Sequence, residues 1–189
     1  MAQMGIYFDQ TRCTGCYTCA VACKDWYDLE AAQVNYMRVR VIEKGTFPDL
    51  FAAYLATPCC HCLKPPCVQV CPAEAITKRE ADGIVVVDSD RCLGKDECSE
   101  KCLKACPWKA PQFGPQVNAK MQKCELCLER LEEGRQPVCV EACPMFALEV
   151  GPLEELRRKY GEITEAEGFK FLKKFGPVVV FKPKKDLSV

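Results

Sequence analysis

Apolar and polar positions alternate along this chain only in short runs, and each run leads into a loop or short helix crowded with one residue type. Gly5-Ile6-Tyr7-Phe8-Asp9 reads as a short strand, and residues 34–42 alternate again as a second, with a turn at Lys44-Gly45. Phe47 to Ala56 is mixed apolar sequence that carries no assignment. Ala75-Ile76 and Gly83-Ile84-Val85-Val86-Val87-Asp88 read as a hairpin. Leu128 to Val138 reads as a helical turn closed by Gly134, its charged residues forming a solvated face. Further on, Pro152 opens a helix with Glu154 and Glu155 early, Arg157, Arg158 and Lys159 late, and Gly161 after it. Thr164 with Glu167 makes a capping box that predicts a second helix through Phe175, stopped by Gly176-Pro177. Val178 to Phe181 reads as a short strand and Lys182-Pro183-Lys184-Lys185 as a solvated tail.

The recurrent residue is cysteine, 17 of 189 positions, far above ordinary globular usage. Disulfides, structural zinc and iron–sulfur clusters compete for so many thiols. Disulfide frameworks suit short secreted domains, whereas Met1-Ala2-Gln3-Met4-Gly5 has no signal-peptide pattern and the cysteine total is odd. Zinc sites favour pairs of C-x-x-C with histidine, and here His61 is the one histidine.

Spacing favours iron–sulfur. Cys13, Cys16, Cys19 and Cys23 follow the bacterial ferredoxin gaps of two, two and three residues. In that arrangement three thiolates hold one 4Fe-4S cube and the fourth reaches a neighbouring cube. The second motif supplies Cys59, Cys62, Cys67 and Cys71-Pro72, with Cys60 the odd thiol. Cys60 remains an alternative to Cys59, although the two-residue gap to Cys62 favours Cys59. The third motif, Cys92, Cys98, Cys102 and Cys106-Pro107, has gaps of five, three and three, with Lys95 where a regular loop has its second cysteine. A three-iron cluster therefore stays open at that site. The fourth motif is Cys124, Cys127, Cys139 and Cys143-Pro144. Sixteen thiols in four motifs supply four cubes, and first-with-second and first-with-fourth pairings are both open.

Phe8-Asp9-Gln10-Thr11-Arg12-Cys13-Thr14-Gly15-Cys16, Cys62-Leu63-Lys64-Pro65-Pro66-Cys67, Cys106-Pro107-Trp108-Lys109-Ala110-Pro111-Gln112-Phe113, Lys123-Cys124-Glu125-Leu126-Cys127 and Cys143-Pro144-Met145-Phe146-Ala147-Leu148 carry a likeness over most of the chain. On them the chain resembles the iron–sulfur (beta) subunits of the dimethyl sulfoxide reductase family of molybdenum and tungsten enzymes. That resemblance implies nested motifs, first with fourth and second with third. Carried over, Cys13, Cys16, Cys19 and Cys143 hold one cube, and Cys124, Cys127, Cys139 and Cys23 the next. Cys59, Cys62, Cys67 and Cys106 hold a third, and Cys92, Cys98, Cys102 and Cys71 a fourth. The irregular third motif and the missing proline after Cys23 depart from the pattern.

The expected fold is α+β: tandem ferredoxin-like modules of short hairpins and helices with a small helical C-terminal extension. Residues 1–58 and 107–150 form one module, 59–106 an inserted one, and 151–189 the extension. No Ser/His/Asp arrangement, phosphate loop or acid pair suggests catalysis, so the chain reads as a non-enzymatic electron-transfer subunit. His61 reads as a packed or hydrogen-bonded residue, and Trp26 and Trp108 as shields of clusters. Its 26 basic and 26 acidic residues argue for neither nucleic acid nor a membrane surface, and no apolar run spans a bilayer. The expected partner is a molybdenum or tungsten catalytic subunit, with a membrane anchor subunit or a soluble redox carrier on the other side. The expected location is cytoplasmic, with co-export beside a signal-bearing partner as the alternative. Other readings are a small subunit of a tungsten aldehyde oxidoreductase or class II benzoyl-CoA reductase complex, a free-standing polyferredoxin, and a zinc-stabilised binding module.

Overall fold

The structure, a computed structural model, describes residues 2–31 and 34–185, so residues 186–189 of the expected C-terminal segment lie outside it. The chain enters through β1 (Met4–Asp9) and α1 (Thr18–Trp26), then forms the hairpin of β2 (Arg38–Lys44) and β3 (Phe51–Thr57). Next come α2 (Pro66–Gln69), the hairpin of β4 (Ile76–Lys78) and β5 (Val85–Val87), α3 (Lys95–Cys98) and α4 (Lys101–Ala105). A two-residue pairing of β6 (Gln112–Phe113) with β7 (Met121–Gln122) leads to α5 (Leu128–Glu132) and α6 (Val138–Glu141). β8 (Leu148–Pro152), α7 (Leu153–Tyr160) and β9 (Val179–Lys182) complete the order. Except for α1 and α7 the helices have four or five residues, too few to persist in water without tertiary contacts.

β1 organises the molecule. It pairs antiparallel with β8, from Met4 opposite Pro152 to Phe8 opposite Leu148, and parallel with β9, from Ile6 opposite Val179 to Asp9 opposite Lys182. The expected half-buried alternation is instead a strand covered on both faces, buried from Gly5 to Asp9. Ile6 and Phe8 face the cysteine-rich core, whereas Tyr7 packs on Leu153, Leu156 and Val178. α7 is the lid on that second side, its apolar Leu153 and Leu156 inward and its charges outward.

Several expectations are corrected. The second strand begins at Arg38, not residue 34, and its partner β3 comes from the unassigned stretch. No helix forms over 164–175. Gly168 adopts φ +77°, and Phe169 N–H turns back to the Ala166 carbonyl at 3.0 Å. Gln10, almost fully buried, holds Glu167 from both sides, donating to its carbonyl at 3.0 Å and accepting from its N–H at 3.2 Å. This tertiary clamp overrides the capping box, and Phe169 packs on Trp108 and Phe181. Among its described residues the C-terminal extension therefore has one helix and contributes a core strand. Arg130 of α5, expected on a solvated face, is buried, ion-paired with Glu141 and laid over the Trp26 ring at 4.8 Å.

Candidate metal centres

Three of the four motifs end in the same local turn. Cys71-Pro72-Ala73-Glu74-Ala75, Cys106-Pro107-Trp108-Lys109-Ala110 and Cys143-Pro144-Met145-Phe146-Ala147 share Cys-Pro-x-x-Ala. Their fourth residues are left-handed, at φ 49° for Glu74, 53° for Lys109 and 49° for Phe146. The N–H of each returns to the cysteine carbonyl, at 3.2, 3.1 and 3.1 Å. Proline stops the helix, and the turn brings the N–H of Ala110 to Cys106 Sγ and of Ala147 to Cys143 Sγ, each at 3.4 Å. An N–H aimed at sulfur favours its thiolate form. After Cys23 there is no proline. α1 continues to Trp26, and Tyr27 N–H closes on the Cys23 carbonyl at 3.3 Å.

Cysteines distant in sequence converge on shared spaces. Cys13, Cys16, Cys19 and Cys143 line one small cavity. Cys23, Cys124, Cys127 and Cys139 line a second, and Cys71, Cys92, Cys98 and Cys102 a third. Cys59, Cys62, Cys67 and Cys106 also lie near one another, each influenced by its neighbours, and Cys60 shares the influence of Cys59, Cys62 and Cys106. Among the described residues no three His, Cys, Asp or Glu side chains are placed to hold a single metal ion. The rings suit a polynuclear occupant, with open space at the centre and thiols at the corners.

The elements explain the convergence. Cys19 and Cys23 lie one turn apart on α1, and Cys139 and Cys143 one turn apart at α6, so this helix pair serves two adjacent cavities. Cys67 on α2 and Cys71 just beyond it, with Cys102 on α4 and Cys106 at its end, repeat the device for the other two groups. In the middle, Cys59 is the largest electrostatic influence of another residue on Cys124. The groups are therefore linked in pairs, by α1 and α6, by the influence of Cys59 on Cys124, and by α2 and α4. Gly15 allows the first loop to close: at φ +69°, a Cβ there would lie 2.4 Å from the Tyr54 ring.

In the irregular third motif, Lys95 turns away from the cavity and bonds the carbonyls of Gly114 and Pro115 at 3.0 and 3.4 Å. Ser99 and Glu100, both at φ 53°, turn the chain from α3 to α4, and both Cys98 and Cys102 still reach the ring. Cys60 is buried with Phe8, Leu55 and Phe181, and its carbonyl accepts from Val178 N–H at 3.0 Å.

Burial, and then the proximity of other cysteines, pushes Cys19 and Cys23 up to about 12. Burial is also the main cause at Cys67, Cys102 and Cys124, again up to about 12, and it raises Cys62 and Cys139 as well. Such thiols ionise only when positive charge joins them, which a ring of iron supplies. Exposed Cys16 is the exception, held down by hydrogen bonds from Thr18.

His61 is buried as expected, its Nδ1 accepting from Val85 N–H at 3.0 Å. Trp108 packs between two core groups, whereas Trp26 lies half-exposed against Glu129 and Arg130. Sequence reasoning missed three residues. Lys123 is buried beside Cys124 and bonds the carbonyls of Val85 and Cys124, with no carboxylate partner among the described residues. Arg38 bonds the carbonyls of Trp108 and Lys109, lies near Cys59, Cys60 and Cys106, and also has no carboxylate partner among the described residues. Tyr27 lines the second cavity. The one signal for it was its place four residues after Cys23, on the same helical face.

Residues 50–153 match the family described as a 4Fe-4S dicluster domain, and residues 6–60 one described as a 4Fe-4S single cluster domain. The sequence is 42% identical to YnfG of Escherichia coli, a probable anaerobic dimethyl sulfoxide reductase component, over 96% of this chain and 89% of that one. It is 41% identical, with the same coverage, to a component of the anaerobic dimethyl sulfoxide reductase of Escherichia coli. A component of the sulfite dehydrogenase of Allochromatium vinosum is 33% identical over 93% of this chain and 80% of its own.

Proposed function

The chain itself belongs to the iron–sulfur, electron-transfer subunits of the dimethyl sulfoxide reductase family of molybdenum and tungsten oxidoreductases, and we propose that it holds four 4Fe-4S clusters in a row. Through them single electrons pass between a molybdenum or tungsten catalytic subunit and an external donor or acceptor. The proposed ligand sets are Cys13, Cys16, Cys19 and Cys143; Cys124, Cys127, Cys139 and Cys23; Cys59, Cys62, Cys67 and Cys106; and Cys92, Cys98, Cys102 and Cys71. One observation carries this reading: three small cavities are each lined by four cysteines drawn from two different motifs. Adjacent groups on shared helices support a relay.

Each cluster supplies one-electron chemistry when bound. The protein's part is to place, shield and charge-balance. Phe8, Leu148 and Ala147 exclude water from the first cavity, and Ile6, Met37 and Leu126 from the second. Buried Lys123 and half-buried Arg38, without acidic partners among the described residues, supply positive charge near the middle groups. Nothing in this role requires the polypeptide itself to bind a substrate, so we read it as non-catalytic.

In the proposed organisation residues 1–58 and 107–150 hold the first two sets, 59–106 the other two, and 151–189 backs them. A membrane anchor subunit or a soluble carrier would take the far end of the relay. Among the described residues no helix is long and apolar enough to cross a membrane. Seventeen unpaired thiols suit a reducing compartment, so the cytoplasm is the proposed location, with export beside a folded partner the alternative.

The test is chemical analysis of anaerobically purified protein. About sixteen irons and as many sulfides per chain are expected for four cubes. Bound zinc in a colourless protein would contradict the reading.

A further inference from the structure

Among the described residues, three buried side-chain polar atoms have no well-formed hydrogen bond: Tyr27 Oη, Arg38 Nε and His61 Nε2. All three are donors. The Arg38 nitrogen carries a proton by nature, the His61 ring already accepts at Nδ1, and Tyr27 is a phenol. Folded proteins rarely leave such groups unsatisfied. Each can donate, and each of the three residues lies near cysteine. Tyr27 is the best defined. It lines the cavity of Cys23, Cys124, Cys127 and Cys139, and of these Cys127 acts most strongly on its hydroxyl.

Its position has a cause in the sequence. After Cys71, Cys106 and Cys143 a proline ends the helix, and the fourth residue on is alanine. After Cys23 stands Lys24, the helix runs on to Trp26, and the fourth residue on is Tyr27. The missing proline therefore adds a helical turn that carries a phenol to the same face as Cys23. The Tyr36 ring, 5.2 Å away and tilted by 59°, backs the Tyr27 ring. The Tyr36 hydroxyl is engaged elsewhere, with Gln122 Oε1 at 3.1 Å.

We propose that Tyr27 is a potential-setting residue, its hydroxyl donating a hydrogen bond to the sulfur of Cys127 and so favouring the reduced form of the cluster held by Cys23, Cys124, Cys127 and Cys139. The inference rests on the cluster reading above and adds a residue to it. A donor facing cluster sulfur stabilises the added electron, and hydrogen bonding to sulfur is one of the levers on such potentials.

The experiment is an EPR-monitored redox titration of the anaerobically purified complex. Tyr27→Phe keeps the ring and removes the donor; the midpoint of that one cluster is expected to move to a more negative potential while the others stay. Replacing Tyr27 by 3-fluorotyrosine strengthens the donor and is expected to move the midpoint the other way. Tyr36→Phe serves as the control and leaves it in place. Unchanged midpoints in the Phe variant, or in the fluorotyrosine protein should the Phe variant not load, would overturn the proposal. Iron analysis of the wild type separates the two readings. A full complement with an immovable midpoint counts against Tyr27 alone, and a missing cluster counts against both.

Discussion

Cys19 and Cys23 sit one turn apart on α1 and line two different cavities. A single nine-residue helix therefore serves two sites, and its integrity is a requirement of both. Val21, between them and exposed, donates its N–H to the Tyr17 carbonyl at 3.0 Å. Val21→Pro removes that bond and clashes with the preceding turn, a cost of about 3 kcal/mol. Iron per chain is expected to fall by about half, from loss of the two clusters proposed at α1. Retention of full iron would show that α1 does not position both.

Cys143 lies 124 residues after Cys19 in the sequence, yet both line the first cavity. Cys143→Ser is expected to alter the signal of the cluster proposed at Cys13, Cys16 and Cys19, by weakening or losing one iron. EPR of the reduced protein reads the change. An altered signal from the Cys124 and Cys127 site, with the first intact, would contradict the nested pairing.

Gln10 joins the ends of the fold. Its amide donates to the carbonyls of Tyr54 and Glu167, at 3.2 and 3.0 Å, and accepts from the N–H of Glu167 and Lys184, at 3.2 and 3.1 Å. Gln10→Ala is expected to destabilise the protein by about 2–4 kcal/mol, on a net value of roughly 1 kcal/mol per bond. Residues 164–176 should become the first site of proteolysis, because their conformation depends on this clamp. A variant cut elsewhere first would show the segment to be held by other contacts.

Asp9 links stability to pH. Burial raises its carboxyl, but hydrogen bonds from Thr11 and Lys182 and the Lys182 charge together outweigh it, holding the group below its ordinary range. A folded value below the unfolded one gives stability that is present above the unfolded value and is lost as pH falls through the folded one. Denaturation curves of the wild type and Asp9→Asn are therefore expected to differ most near neutral pH and to converge in acid, below about pH 4. A gap that widens in acid would reverse the sign.

Much of this was readable before the fold was known, for physical reasons that differ from element to element. Cysteine gaps report ligand geometry directly, since a short loop can present only certain corners to a cluster. The turn after each Cys-Pro is local and equally readable. β3 was not, because Phe51, Ala53, Leu55, Ala56 and Thr57 are buried and no polar face marks the strand. The capping box at Thr164 misled because Gln10, 157 positions before Glu167, outbids it for the Glu167 backbone. Arg130 was misread because charge in a loop is usually solvated, whereas here Glu141 and the Trp26 ring receive it. Tyr27 became legible only once the missing proline was seen as a longer helix.

The proposed ligand sets put thiols from opposite ends of the polypeptide on shared inorganic cores. Crystallography of the anaerobic complex with anomalous scattering at the iron edge tests this most directly. Four iron peaks in a row are expected, the first bonded by Cys13, Cys16, Cys19 and Cys143, and the last by Cys71, Cys92, Cys98 and Cys102. Peaks fewer than four, or a first peak bonded by Cys23 in place of Cys143, would contradict it.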